Sequence, residues 1–290
     1  MASIDQQDVA AEPLFGRAID AGNSAAARLW ATRALVGTFW LSAAIFGLYI
    51  FSFYAGAAVD GTPEQWNESL PRLYEPHTPV ATIGIAAHFA TGAVLLLLGP
   101  MQLMASVREN VPQLHRWVGR VYGSTALITG FGGLAFIALN GTIGGAPMNV
   151  GFGIYGALTV LAAFQTIRCA RARRFDQHRA WAIRLFALAI GSWLYRMDYG
   201  FWRIAANGIG HTRHFDGPFD MFMAFFFYIP NLLVAEVFIR ARQVHMRPPI
   251  RQIALIVVSA ATIFIAVGTY YFTVYYWGPR ILARVIGSSV

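Results

Sequence analysis

Seven long apolar stretches restrict the fold of this sequence more than any other feature. Each holds about twenty residues or more, which is enough for an α-helix to cross a hydrocarbon core of roughly 30 Å. Of the 290 residues, 57% are apolar and only 12% are charged, a composition typical of membrane proteins. The sequence therefore predicts an all-α integral membrane helical bundle with about seven transmembrane helices, at 34–56, 80–105, 121–140, 148–167, 180–202, 219–239 and 252–277.

Arginine distinguishes the two sides of the membrane, because the chain contains no lysine and short loops rich in basic residues stay in the cytoplasm. Loops 106–120, 168–179 and 240–251 hold twelve arginines, whereas the intervening loops hold three. We therefore expect a multi-pass protein of the cell inner membrane, with its N-terminus cytoplasmic and its C-terminus external. The net charge of +8 then reflects topology, and no nucleic-acid partner is expected.

These features divide the chain into three parts. Residues 1–33 are expected to form a cytoplasmic N-terminal arm, residues 34–277 the seven-span membrane domain, and residues 278–290 an external C-terminal tail. The lone Cys169 lies in a cytoplasmic loop, which excludes an intramolecular disulfide and a cysteine metal cluster. The lack of lysine excludes a retinal Schiff base and P-loop chemistry.

Four segments carry a resemblance to a known family. They are "HFATGAVLLLLGPMQL" from His88, "LHRWVGRVY" from Leu114, "QHRAWAIRLFAL" from Gln177 and "YIPNLLVAEVFIR" from Tyr228. With these segments in order, from about residue 77 to 240, the chain resembles the bacterial membrane proteins called domain of unknown function 2306. The resemblance implies a multi-pass membrane protein and supplies no reaction, cofactor or catalytic residue.

Ionisable side chains inside the apolar stretches are functional candidates, because a charge in the bilayer costs several kcal/mol unless it is paired or hydrated. At 1.5 Å per residue, His88 lies about 12 Å below the outer end of its helix. Arg196 and Asp198 lie about 9 and 6 Å below the outer end of theirs. The sequence therefore suggests that these three residues share a ligand-binding site in the outer leaflet.

Histidines suggest two kinds of cofactor, a transition metal or haem. The candidate metal ligands are His77, His88, His211 and His214. A helical bundle can also hold haem by axial ligation, either through His88 or through His115 and His178, which share a depth at the cytoplasmic side. Solvated loop histidines, together with a His88 bonded to a backbone carbonyl, explain the same pattern without any cofactor.

A second group of polar residues lies near the cytoplasmic ends of the helices. Arg184 and Glu236 are at similar depths, and we expect them to form a structural ion pair. The third and fifth stretches are each preceded by a His-Arg motif that contains His115 or His178. These motifs are either interfacial anchors or an anionic pocket, for which lipid head groups are the simplest ligand.

Three functions remain open at this stage. The first is a metal- or haem-binding accessory or redox protein, which we place slightly ahead of the others. The others are a small-molecule or proton-coupled transporter and a lipid-binding scaffold without turnover. Whether the chain is an enzyme is undecided. Membrane lipids are expected partners, and a homo-oligomer or a membrane-protein partner is open.

Overall fold

A computed structural model describes residues 11–241 and 248–286 of the chain, and these residues form helices and loops without any strand. In chain order the α-helices are α1 Ala11–Tyr49, α2 Gly56–Val59, α3 Pro79–Leu103, α4 Ala105–Asn110, α5 Pro112–Asn140, α6 Gly145–Arg171, α7 Phe175–Ala189, α8 Gly191–Ala206, α9 Pro218–Phe226, α10 Ile229–Ala241, α11 Pro248–Phe272 and α12 Gly278–Ile286. Two π-helical segments, Ile50–Ala55 and Thr273–Trp277, continue α1 and α11. A 3-10 helix covers Pro63–Glu68.

Proline and glycine fix several of the helix ends. Pro79, Pro112 and Pro218 each occupy the first turn of a helix, where the missing N–H has no intrahelical partner to lose. Gly141 ends α5 with a φ of +68°, a conformation that glycine adopts without the steric cost of a Cβ. At Pro112 and Gly141 the connections to the neighbouring helices are short.

Six helical stretches of the described residues are long and apolar enough to cross a membrane. They are Leu29–Val59, Pro79–Leu103, Pro112–Asn140, Gly145–Arg171, Pro218–Arg240 and Gln252–Ile286. Large apolar side chains on their outer faces are exposed, including Ile83, Phe131, Phe164 and Ile256, as expected for surfaces that contact lipid. The prediction of an all-α multi-pass membrane bundle is confirmed, and six of the seven apolar stretches correspond to these helices.

The remaining apolar stretch, 180–202, corresponds to two shorter helices, α7 and α8. Helical hydrogen bonding continues across their junction, since Ile190 N donates to Phe186 O at 3.1 Å and Leu194 N donates to Ile190 O at 3.0 Å. The loop after α8 lines the same cavity as the loops before α3 and between α5 and α6. The α7–α8 pair therefore runs from the arginine-rich end of the bundle to the end that holds the cavity.

Small residues bring α3 and α5 into close contact. A Cβ added to Gly132 would lie 2.5 Å from Gly84 O, and one added to Gly84 would lie 2.9 Å from Gly132 O. Lipid provides no hydrophobic force between helices, so close packing of this kind is a main source of helix association in a membrane. The contact also fixes α3 and α5 relative to each other at the level of the cavity.

Helix α8 separates two buried clusters. On one side, Trp193 and Met197 are fully buried in a cluster that includes Trp277. On the other side, Tyr195 and Tyr199 pack against a cluster built mainly by α5, α6, α7 and the residues around α9. Helical periodicity places Arg196 on α8 between these two faces.

The division of the chain into three parts stays a prediction, and the structure describes the helices around its two boundaries. Helix α1 passes through the expected boundary at residue 33 without interruption, while residues 1–10 lie outside the described residues. The described part of the expected tail forms α12. Arg284 on α12 forms an ion pair with Asp60, so this helix contacts the loop that follows α2.

Candidate functional site

A cavity of about 560 Å³ lies among the helices at the end opposite the arginine-rich loops. Its wall combines residues of α3, α5, α6, α8 and the π-helical segments that follow α1 and α11. Exposed Arg72, Arg203 and His211 line it, which places its mouth at the protein surface. Fifteen of the 37 residues that line it are Phe, Tyr or Trp, so the cavity favours flat, largely apolar ligands.

Tyrosine hydroxyls form a polar patch on one side of this wall. Tyr54 OH and Ser69 Oγ are 2.7 Å apart, and Tyr49 and Tyr276 donate to the same Ser69 oxygen at 3.4 and 3.3 Å. Tyr54 and Tyr276 belong to the two π-helical segments, and such segments are frequent at functional sites. No pattern in the sequence indicated this cluster, because Ser69 and Tyr276 are 207 positions apart.

Arg196 is a half-buried cation of α8 that lines the cavity. Its Nη1 donates to Ser192 O at 2.7 Å, and its guanidinium carbon lies 5.2 Å from the ring centroid of Phe46. No carboxylate lies within salt-bridge distance of Arg196 among the residues that the structure describes. A half-buried guanidinium without a counter-ion favours binding of an anion.

Asp198, expected in the same site, does not line the cavity. It lies two positions after Arg196 on α8, and a separation of two residues places side chains on nearly opposite faces of a helix. The expected grouping of His88, Arg196 and Asp198 therefore reduces to His88 and Arg196. The separation of Asp198 from Arg196 could have been predicted from helical periodicity alone.

His88 lies on α3 and lines the cavity. Its Nδ1 lies 2.8 Å from Thr129 O, and because a carbonyl only accepts, Nδ1 carries the proton. Glycine allows this contact, since a Cβ on Gly133 would lie 3.0 Å from the same Nδ1. Nε2 has no hydrogen-bond partner among the described residues, so it can accept a proton or bind a metal.

His211 lines the cavity mouth and is held in a similar way. Its Nδ1 donates to Asp220 Oδ1 at 2.7 Å, and Tyr199 OH donates to the same oxygen at 2.7 Å. The other carboxylate oxygen of Asp220 accepts from Thr212 N at 3.0 Å and from Gly217 N at 3.1 Å. Carboxylate–imidazole pairs of this kind fix the orientation and tautomer of metal-binding histidines.

The sequence suggested that His77 and His214 bind a metal together with His88 and His211, but these two residues lie outside the cavity. Both are exposed and neither lines the cavity. Within residues 11–241 and 248–286, no group of three or more His, Cys, Asp or Glu side chains is arranged to hold a metal ion. Two of the four candidate ligands, His88 and His211, therefore share one cavity.

The polar residues of the arginine-rich end form separate contacts, away from the cavity. Arg184 Nε donates to Glu236 Oε1 at 2.5 Å, so α7 and α10 are joined by the ion pair that the sequence suggested. His178 Nδ1 donates to Thr166 O at 2.9 Å, whereas His115 Nδ1 is buried without a partner among the described residues. Neither histidine lines the cavity, so a ligand there has no contact with them.

The two His-Arg motifs also share a local geometry. Arg120 lies over the ring of Trp117 and Arg184 over that of Trp181, each with the guanidinium carbon 4.7 Å from the ring centroid. Such cation–π pairs are typical of side chains at a membrane interface. The geometry favours anchoring of the third and fifth stretches at this end.

Comparison with known proteins gives one match. No curated protein and no solved structure matches the chain. The sequence profile of a family described as "Predicted membrane protein (DUF2306)" matches residues 85–239, slightly more than half of the chain. The matched segment extends from α3 to α10 and contains His88, Arg196 and His211. The chain therefore belongs to the DUF2306 family of predicted membrane proteins.

Proposed function

We propose that the cavity binds a flat, largely apolar ligand that carries an anionic group, and that this ligand is haem. One observation carries the proposal. Arg196 places a guanidinium without a carboxylate partner, among the described residues, inside a cavity with aromatic walls. An anionic group on the ligand would supply the missing counter-charge through charge-assisted hydrogen bonds.

The size and lining of the cavity support a ligand of this class. Cofactor and drug-sized ligands occupy pockets of roughly 300–1,000 Å³, and the cavity measures about 560 Å³. Its aromatic rings can stack on a flat macrocycle, while the tyrosine hydroxyls around Ser69 can bond to polar substituents. Haem combines a flat macrocycle with carboxylate side chains.

His88 supports haem over a ring without a metal. Metal-binding histidines usually donate the other ring N–H to a carbonyl or carboxylate, as His88 Nδ1 does to Thr129 O. Nε2 is then the nitrogen that would bind the iron from one side of the ring. A bare transition-metal ion receives less support, because no group of three ligands occurs among the described residues.

A carrier for small organic acids is the second candidate, and Arg196 also favours it. The same guanidinium would select a carboxylate solute, and a carrier would additionally release that solute on the other side of the membrane. Uptake of a labelled organic acid into vesicles that contain the protein, lost on Arg196→Gln, would support the carrier. A haem-binding protein predicts retention of the ligand without uptake.

We also propose that the N-terminus is cytoplasmic and that the protein lies in the inner membrane. The arginine distribution supports this orientation, in which the cavity mouth faces outward. The arginine-rich end, with His115 and His178, would then meet the anionic head groups of the cytoplasmic leaflet.

The anionic anchor can be tested with a porphyrin that lacks iron. Purified protein in mild detergent is titrated with metal-free protoporphyrin IX and with its dimethyl ester, and porphyrin fluorescence reports binding. The free acid should bind more tightly than the ester, and Arg196→Gln should weaken binding of the acid by about ten- to a hundredfold, the loss expected for a charged hydrogen bond. Arg120→Gln, at the opposite end, is the matched control. Equal binding of acid and ester, or no binding beyond that of empty micelles, would contradict the proposal.

A further inference from the structure

Four side chains form a continuous hydrogen-bonded chain along one side of the cavity. Tyr195 OH donates to Tyr199 OH at 3.0 Å, and Tyr199 OH donates to Asp220 Oδ1 at 2.7 Å. His211 Nδ1 donates to the same oxygen at 2.7 Å. Tyr195, Tyr199 and His211 line the cavity, whereas the Asp220 side chain is fully buried.

The two ends of the chain lie in different surroundings. Tyr195 lies one turn before Tyr199 on α8 and packs against the rings of Phe152 and the buried Phe227. His211 lies at the mouth, where 31% of its side chain is exposed. The chain therefore connects the inner part of the cavity with the aqueous surface.

Asp220 has a structural role that accounts for only one of its oxygens. Oδ2 accepts from Thr212 N and Gly217 N, which caps the start of α9 and fixes the preceding loop. Oδ1 contributes nothing to that cap and instead accepts from Tyr199 and His211. A buried carboxylate is costly unless it is well hydrogen-bonded. The two titratable partners of Oδ1, Tyr199 and His211, are not required for the cap.

We propose that Tyr195, Tyr199, Asp220 and His211 form a proton path between external water and the ligand cavity. The inference rests on the proposed function, since a ligand that fills the cavity excludes water from its inner part. The four hydrogen-bonded side chains then provide the remaining route for a proton. Such a route is needed when a one-electron reductant reduces a buried group, because the added negative charge is compensated by a proton.

Transfer along the path conserves protons at every residue. His211 Nε2 takes a proton from water, and its Nδ1 gives one to Asp220 Oδ1. The Tyr195 and Tyr199 hydroxyls donate toward Asp220 in the structure, and they rotate before the next transfer. Asp220 then passes its proton to the Tyr199 oxygen, and Tyr199 gives its original hydroxyl proton to the Tyr195 oxygen. Tyr195 then releases its own hydroxyl proton into the cavity. At each intermediate atom one bond to hydrogen forms and one breaks, so the path returns to its starting composition with the imidazole in its other tautomer.

The path can be tested by following proton uptake when the haem-loaded protein is reduced. Dithionite reduces the protein in a weakly buffered solution, while a pH-indicator dye reports proton uptake and the haem absorption reports reduction. Tyr199→Phe removes the central hydroxyl and leaves the Oδ2 cap of Asp220 intact. We expect proton uptake to slow at least tenfold in this variant, with the haem spectrum retained.

Two further variants make the test independent of folding. Tyr195→Phe interrupts the chain one hydrogen bond farther from Asp220 and should slow uptake in the same way if Tyr199→Phe does not fold. Tyr122→Phe removes a buried hydroxyl that has no partner among the described residues and does not line the cavity, so uptake should remain at the wild-type rate. A haem spectrum with unchanged uptake in the Tyr195 and Tyr199 variants, or without any uptake in wild type, overturns the path alone. Absence of a haem spectrum overturns the proposed function and the path with it.

Discussion

The orientation of the His88 imidazole depends on the absence of a side chain on the facing helix. Gly133 on α5 leaves room for the ring, which donates from Nδ1 to the carbonyl of Thr129 one turn earlier on the same helix. This arrangement presents Nε2 as the free nitrogen. Two features therefore determine the geometry of His88: Gly133 leaves space for the imidazole, and the Thr129 carbonyl orients it.

Replacing Gly133 with alanine tests this role of the glycine. The new Cβ would lie 3.0 Å from His88 Nδ1, so the ring must shift, at a cost of about 1–3 kcal/mol for overpacking. We expect the absorption spectrum of the haem complex to change, while metal-free protoporphyrin still binds. Gly153→Ala on α6 is the control, because nothing lies within 4 Å of its added Cβ. An unchanged haem spectrum in Gly133→Ala would show that the orientation of His88 is irrelevant to the ligand.

The sequence predicted individual members of the site better than it predicted their grouping. His88 and Arg196 stood out because ionisable residues are rare in apolar stretches, and both line the cavity. Asp198 was assigned to the same site from its depth alone. It lies two positions after Arg196, on a nearly opposite face of the helix, and does not line the cavity. The roles of Tyr195 and Tyr199 were missed, because Asp220, the partner of Tyr199, is more than twenty positions away and follows an irregular loop.

At the scale of elements, the helices extend beyond the apolar stretches that predicted them. Helix α5 begins at Pro112, nine positions before the expected start, because Arg116 and Arg120 extend outside the apolar region without ending the helix. The junction of α7 and α8 was not predictable either. It lies where Gly191 packs on the Phe227 backbone, with 3.3 Å between an added Cβ and Phe227 O. Hydropathy reports the lipid-facing length of a helix and contains no information on such tertiary contacts.

The ion pair between α7 and α10 gives a prediction at this scale. Alanine at Arg184 or at Glu236 leaves the charge of the partner half-buried. The losses of unfolding free energy in the two single variants should therefore add up to more than the loss in the double variant. A double-mutant cycle from unfolding in detergent should give a coupling energy on the order of 1 kcal/mol, since both side chains are partly exposed. The exposed pair Arg108–Glu109 is the control and should show almost no coupling. Additive losses at Arg184 and Glu236 would show that the pair does not stabilise the fold.

At the scale of the whole molecule, the cavity and the arginine-rich loops occupy opposite ends of the bundle. The loops that line the cavity mouth lie before α3, between α5 and α6 and between α8 and α9. The arginines of the opposite end lie on α4, on the first turns of α5 and around the connection between α6 and α7. This asymmetry is the basis for expecting a cavity that opens to the outside.

Reporter fusions test that orientation directly. A reporter inserted after residue 175 should be active only as a cytoplasmic fusion, and one near residue 145 only as an external fusion, because the arginine bias favours that topology. Fusions of two reporters, one active on each side of the membrane, provide the control at each site. The reverse pattern at both sites would place the cavity mouth in the cytoplasm.

Titration of the purified protein with ferric haem is the measurement that tests the proposed function most directly. The wild-type protein should give a saturable absorption band at one haem per chain, with the spectrum of an imidazole-ligated iron. His88→Asn should lose that ligation while the protein remains folded, and His77→Asn, an exposed residue outside the cavity, should match wild type. A wild-type spectrum identical to that of haem in empty micelles, or the same imidazole-ligated band in His88→Asn, would contradict the proposal.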